Sequence, residues 1–190
     1  MVVQNWVDSK STGDLVEEEF VQHCLDFGWT LLDLTARFRS RYNAPVAKHQ
    51  NKEIKVPDYM ISKPPLAPSL VAEIKGKDPV RDEEYWYDDF RWEYFKEMCN
   101  EFSVGGLLVF KHSPYAIPNL DNFFCATVEH LTNNIFGHHR GGPARNGKDQ
   151  FVYTWKVEHF TPLKEFLTAD LMSGRRYPFY VKRNESWVEI

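Results

Sequence analysis

The sequence predicts an α/β fold in which a mixed central sheet carries helices on both faces. Three observations predict it. Leu70 to Lys75 alternates, with Leu70, Ala72 and Ile74 on one side and Val71, Glu73 and Lys75 on the other, which is the period of a β-strand. Two stretches with the apolar spacing of amphipathic helices flank it, about Asp14 to Asp26 and about Asp82 to Phe102. After the second, Gly105-Gly106 interrupts the chain, and Leu107 to Lys111 (LLVFK) has the length and apolar character of a buried strand.

Composition sets the bounds. A chain of 190 residues is most economically one domain, here a core over about 13–112 and an elaborated C-terminal half over about 113–190. Hydrophobic and charged fractions of 43% and 26% are those of an ordinary globular protein, which argues against extensive disorder. The net charge of −4 excludes a polycation that coats nucleic acid by bulk charge, so any nucleic-acid contact must come from a local basic patch. Cys24, Cys99 and Cys125 are odd in number, far apart and without a CxxC pairing. They suit a reducing cytoplasm and suit neither a zinc site nor a disulfide framework. The N-terminal stretch shows no signal peptide, and no apolar run approaches a membrane span, so a cytoplasmic location is expected.

Taken in order, residues 1–12 read as a lead-in that ends in the turn Ser11-Thr12-Gly13, and the first helix stops at Gly28. Phe20, Val21, Cys24 and Leu25 form its apolar stripe; Glu17 falls in the middle of that stripe, while Glu18 and Glu19 turn to solvent. Two readings of Glu17 stand side by side: a capping box with Asp14 as N-cap, or an acid that looks into a site. Trp29 to Leu34 is the first strand. Thr35 to Asn51 is irregular and carries Arg37, Arg39, Arg41 and Lys48, with His49, and no acid lies between Asp33 and Glu53. It is either a solvated loop or a contact to phosphates, with the three arginines on one side if the segment is extended.

A second strand is expected over Ile54 to Ile61, and Pro64, Pro65 and Pro68 keep the linker Lys63 to Ser69 irregular before the alternating strand. The helix from about Asp82 carries Trp92, Phe95, Cys99 and Phe102 as its core stripe, so most of the aromatic run YWYDDFRWEYF reads as core. Asp88 and Asp89 lack a paired acid, and Arg91 and Lys96 are weak phosphate-contact candidates. Further on, Phe123 to Leu131 and Phe151 to His159 read as strands that flank a glycine-rich basic linker, Phe136 to Lys148, with His138, His139, Arg140, Arg145 and Lys148. Adjacent histidines point to opposite sides of a strand, which disfavours zinc; a hairpin loop that meets DNA fits better. Pro162 to Met172 is a short helix, and the tail with Arg175, Arg176, Lys182 and Arg183 ends as strand.

Functional chemistry concentrates in Ile54 to Lys77. Glu73 and Lys75 share one strand face, and Asp58 lies on the neighbouring strand, so an acid, an amine and a second acid can converge. A turn acid plus a cross-strand charge ladder is the bland alternative, but it does not explain acids on both strands that flank one turn. Pro57-Asp58, followed fifteen residues later by Glu73-Ile74-Lys75, resembles the signature of the PD-(D/E)XK nuclease superfamily, which includes restriction enzymes, junction resolvases and some homing endonucleases. The resemblance covers roughly the first 110 residues and implies a restriction-endonuclease-like α-β-β-β-α-β core.

It also implies a metal-dependent DNA endonuclease. Asp58, Glu73 and the Ile74 carbonyl would hold Mg2+, or Mn2+ in its place, since hard oxygen donors select such ions. Lys75 would orient the attacking water and stabilise charge, and Glu17 would serve a second metal or a water. Lys77, one strand repeat beyond Lys75, would touch the cut strand. Site-specific cutting of restriction or homing type is slightly favoured by the C-terminal elaboration, with junction-type cutting as the alternative. A homodimer is expected because two strands need two sites. The rivals are a non-catalytic nucleic-acid-binding module of the same fold and an RNA-processing nuclease.

Overall fold

The computed structural model of the protein describes residues 2–35, 46–49, 52–63, 67–81, 83–113, 119–143, 149–168, 180–183 and 186–189. Helix α1 (Val2–Asp26) is followed by β1 (Thr30–Asp33), the hairpin of β2 (Val46–His49) and β3 (Lys52–Lys55), then β4 (Tyr59–Lys63) and β5 (Ala67–Gly76). Strand β6 (Glu84–Asp88) leads directly into α2 (Asp89–Glu101), and β7 (Gly105–Lys111) comes next. The C-terminal half supplies β8 (Phe123–Thr127), α3 (Val128–Asn133), β9 (Gly137–Pro143), β10 (Asp149–Lys156), β11 (Thr161–Pro162) and α4 (Leu163–Thr168). A hairpin of β12 (Tyr180–Arg183) and β13 (Ser186–Glu189) closes the described chain.

The main sheet has the order β1-β4-β5-β7-β8-β11. Only β5 and β7 pair in parallel, so the sheet is mixed. With the β2–β3 hairpin and β6 set aside, α1-β1-β4-β5-α2-β7 is the α-β-β-β-α-β core that the sequence leads one to expect. The alternation of β5 divides the interior as read: Leu70, Ala72 and Ile74 join Val16, Phe20 and Cys24 of α1 and Phe166 of α4, whereas Val71 joins Trp92 and Phe95 of α2. A second sheet, β6-β10-β9, packs on the α2 side, where Trp155 of β10 meets Trp92 edge-on at 4.9 Å between centroids.

Several boundaries differ from the expectation. Helix α1 begins at Val2, not Asp14, and runs through Gly13, a residue a helix tolerates at about 1 kcal/mol. Asp14 therefore lies inside the helix and is no N-cap. The C-terminal stop holds: Gly28 is left-handed (φ 75°), and its N–H and that of Trp29 donate to Leu25 and Cys24, closing the last turn. The strand expected over Ile54 to Ile61 is broken at Pro57-Asp58, because proline has no N–H to offer a ladder; β3 pairs with β2 and β4 with β1 and β5. Strand β5 starts at Ala67, inside the proline linker, where a register irregularity between Ile61 and Lys63 accommodates it.

The helix expected from Asp82 begins only at Asp89. Glu84 to Asp88 is strand, since Tyr85 and Tyr87 are buried while Glu84, Trp86 and Asp88 are half-exposed, a period of two. Phe102, expected in the core stripe, caps α2 and is exposed; Met98 is buried in the stripe instead. The strand expected over Phe123 to Leu131 turns into α3 at Val128, where the Thr127 hydroxyl accepts the His130 N–H. Strand β10 ends at Lys156, and its hairpin partner is β9, drawn from the segment read as a linker.

Candidate active site

The antiparallel register of β4 and β5 pairs Tyr59 with Ala72, so Asp58, one residue before β4, lies alongside Glu73 and Ile74. Its main chain is tied to the end of β1 by the Leu34 N–H, which donates to the Asp58 carbonyl at 3.1 Å. Its Oδ2 accepts the Ile74 N–H at 2.8 Å, a backbone donor beyond the last β4–β5 pair. Both acids are buried, Asp58 at 9% and Glu73 at 2% exposure. Buried carboxylates need charge partners. Lys75 supplies one: its Nζ lies 2.8 Å from Glu73 Oε1 and 3.6 Å from Asp58 Oδ2, and donates to the Ile74 carbonyl at 2.7 Å. The ammonium thus sits among three oxygens contributed by Asp58, Glu73 and Ile74.

Burial pulls the Lys75 pKa down, but the charges of Asp58 and then Glu73 outweigh it, and the ammonium is held above its ordinary range. A second donor reaches the same acid, since the Tyr87 hydroxyl donates to Glu73 Oε1 at 2.7 Å. Burial, and next the Glu73 charge, push the Tyr87 pKa well above its usual value, so the phenol stays protonated as a donor. The sequence alone does not single out Tyr87, because its run fits a helix as well as a strand. The period of two over Glu84–Asp88 shows in burial and not in residue type, since Trp86 is as aromatic as Tyr85 and Tyr87.

Lys77 continues the face of Glu73 and Lys75. Its ammonium lies over the Trp86 ring, 2.9 Å from the centroid, and donates to the Trp86 carbonyl at 3.3 Å. Burial lowers its pKa to about 8, with Asp88 opposing and Lys75 adding to the fall. Glu17 stands on the opposite face of the sheet: the hydroxyl of Tyr59, itself in the core on the α1 side, donates to it at 3.5 Å. Among the described residues no three of His, Cys, Asp and Glu gather as a metal cage, so Glu17 does not join Asp58 and Glu73 in one. Glu19, expected toward solvent, instead binds the ammonium of the fully buried Lys111 and accepts the Asn119 N–H at 2.6 Å.

Asp88 is engaged by Arg91 at 3.1 Å and by Gln150, and Asp89 faces His138 at 3.3 Å, so both acids meet basic or amide groups. Lys96 pairs with Glu93 at 2.6 Å. Of the residues read as nucleic-acid contacts, Arg140 is exposed on β9 and Lys48 belongs to β2, opposite Glu53. Arg37, Arg39, Arg41, Arg145 and Lys148 lie outside the described residues. The three cysteines are buried, and burial pushes the Cys24 and Cys99 thiols up to about 12. No described helix is long and apolar enough to cross a membrane.

No protein-family model and no curated protein matches the chain. Among solved structures it is similar to the 1.6 Å structure of Hjc, a Holliday junction resolvase from the archaeal hyperthermophile Archaeoglobus fulgidus. The TM-score is 0.47 at 10% identity, over 80% of this chain and 92% of that one. At that score the likeness bears no weight beside the side chains around Lys75.

Proposed function

We propose that the chain is a metal-dependent nuclease of the PD-(D/E)XK type that hydrolyses phosphodiester bonds in DNA. The observation that carries this reading is the pair of buried carboxylates, Asp58 and Glu73, held on adjacent strands with Lys75 between them. Two carboxylates against one ammonium leave that triad net negative, and the donors are hard oxygens, so the residues fit a small divalent cation such as Mg2+ or Mn2+. Asp58, Glu73 and the Ile74 carbonyl would hold it. A cation there would neutralise charge that builds on a phosphodiester and ease the deprotonation of water.

The chain's own groups have separable tasks. Lys75, held protonated by its acids, acts as a cation and donor toward the phosphate and the attacking water rather than as a base. Tyr87 fixes the Glu73 carboxylate, and the backbone N–H of Ile74 fixes Asp58. Lys77 lies next along the same face and would approach the phosphate strand. Glu17 would act on the site through Tyr59, the residue after Asp58. Arg37, Arg39, Arg41, Lys48, Arg140, Arg145 and Lys148 are proposed as backbone contacts, and a homodimer would place one site on each strand of a duplex.

Cleavage of supercoiled plasmid tests the reading, with Mg2+ or Mn2+ against EDTA, for wild type, Asp58→Ala and Lys75→Ala. Metal-dependent cutting that both substitutions abolish, with DNA binding retained, supports it. Variants that cut as well as wild type would overturn the site. A wild type that binds plasmid, junctions and random-sequence duplexes without cutting any of them is a binding module. Stronger competition by RNA than by duplex DNA would make the substrate RNA.

A further inference from the structure

The small sheet attached to the site carries aromatic rings past the point where the core needs them. In register, Tyr153 of β10 lies between Tyr87 of β6 and His138 of β9, so the three share one face. Two residues inward on that face, Trp155 and Tyr85 pair and are fully buried. Two residues outward comes Phe151, opposite Arg140. Burial falls along this line: Tyr87 is buried and Tyr153 half-buried, while the side chain of His138 is 46% and Phe151 43% exposed. The exposed rings are ordered against one another. His138 stacks on Tyr153 at 4.6 Å and 25°, and Phe151 leans on His138 at 5.5 Å and 38°.

We propose that Phe151, His138 and Tyr153 form a stacking platform for unpaired bases next to the bond that is cut, an inference that rests on the nuclease reading. Three observations carry it. The platform is continuous with the site, because Tyr87, in the same row, donates its hydroxyl to Glu73. Two strand spacings separate Tyr87 from His138, about 10 Å, which one or two nucleotides span. The chemistry is that of single-strand recognition, aromatic faces for bases of any sequence and a cation for the backbone; Arg140 projects beside Phe151 and is exposed.

Two acids of α2 are engaged by the rings themselves, Asp89 by His138 and Glu93 by the Tyr153 hydroxyl. Paired duplex bases have their faces buried in the stack and cannot use such a platform. The preferred substrate is therefore DNA that is gapped, flapped or branched beside the scissile phosphate.

The test uses the full chain in EDTA, with oligonucleotides that carry 2-aminopurine, whose fluorescence is quenched when it stacks. Wild type should quench the probe in a single strand or gap and leave it unchanged in a matched duplex. Phe151→Ala and His138→Ala should each weaken binding to the unpaired probe about 10-fold and relieve the quenching, and Phe151→Trp should restore both. The variants' melting temperatures verify that they fold. Unchanged binding and quenching in Phe151→Ala would overturn the platform, as would failure of Phe151→Trp to do better than alanine. So would a change of oligomeric state in Phe151→Ala with DNA binding intact, which would make the patch a protein interface. Plasmid cutting separates the two ideas: a wild type that cuts with metal while Phe151→Ala binds unpaired DNA normally retains the nuclease and loses the platform. Ring-dependent quenching without any cutting does the reverse.

Discussion

Replacing Lys75 by methionine keeps an unbranched side chain of similar length and removes the one ammonium between Asp58 and Glu73. In the metal-free protein the two carboxylates, both at least nine-tenths buried, then face each other without it. Breaking a buried ion pair from one side costs about 3–5 kcal/mol. Lys75 is 22% exposed, so water screens part of the effect and the low end, about 3 kcal/mol, is expected. For a chain of this size that lowers the melting temperature by roughly 6–12 °C. The pH dependence has a definite sign. The Lys75 pKa is raised on folding, so its contribution is fully present below the ordinary lysine value of 10.5 and is lost only as pH rises through the higher folded value. The titration of Lys75 itself therefore adds no pH dependence to wild-type stability over roughly pH 6 to 9. A divalent cation should take the place of the missing charge: at about 100 times its dissociation constant it returns about 2.7 kcal/mol. Differential scanning calorimetry in EDTA and in Mg2+ reads both effects. If Lys75→Met melts with wild type in EDTA, or gains no more than wild type from metal, the three groups are not a net-negative cation pocket.

Two further substitutions probe the surroundings. Tyr87→Phe removes the donor to Glu73 Oε1 while keeping the ring, and calorimetric titration of the free protein with Mn2+ should show affinity lower by about 10-fold or more; equal affinity would reduce the hydroxyl to a structural bond. Gly106→Ala would drive a methyl into the Val128 and Cys99 side chains, and overpacking there should cost about 1–3 kcal/mol in thermal or urea melts, with an unchanged midpoint counting against that tight contact.

The acid–lysine triad was legible because its geometry follows from strand period alone. Two residues two apart on β5 must share a face, and an acid just before β4, two residues from the Met60–Val71 pair, lies beside them. The core order was legible for a related reason, since β1, β4, β5 and β7 are apolar runs set off by glycine or proline. Tyr87 was hidden because five aromatic and acidic residues fit either period until tertiary pairing with β10 decides between them. Glu19 was misplaced for a different reason: a helical projection centred on Phe20 and Cys24 assigns it to solvent, but Lys111, at the end of β7, reaches it from the sheet. Long-range charge pairing leaves no periodic trace in the local sequence. The start of α1 was lost to Gly13, which reads as a turn when taken by itself.

Trp29, at the entrance to β1, donates its indole N–H to the carbonyl of Leu167 at 3.1 Å and stacks on Phe166, while Lys63 of β4 donates to the same carbonyl at 3.3 Å. The helix that seals the α1 side of the sheet is thus contributed by nearly the last described segment to leave the ribosome, and the strand that holds Tyr87 in place, β10, comes only shortly before it. A nascent chain that has already exposed Asp58, Glu73 and Lys75 still lacks the layers that bury them. The grouping of Asp58, Glu73 and Lys75 is therefore completed late in synthesis, as a property of the closed sheet rather than of the motif.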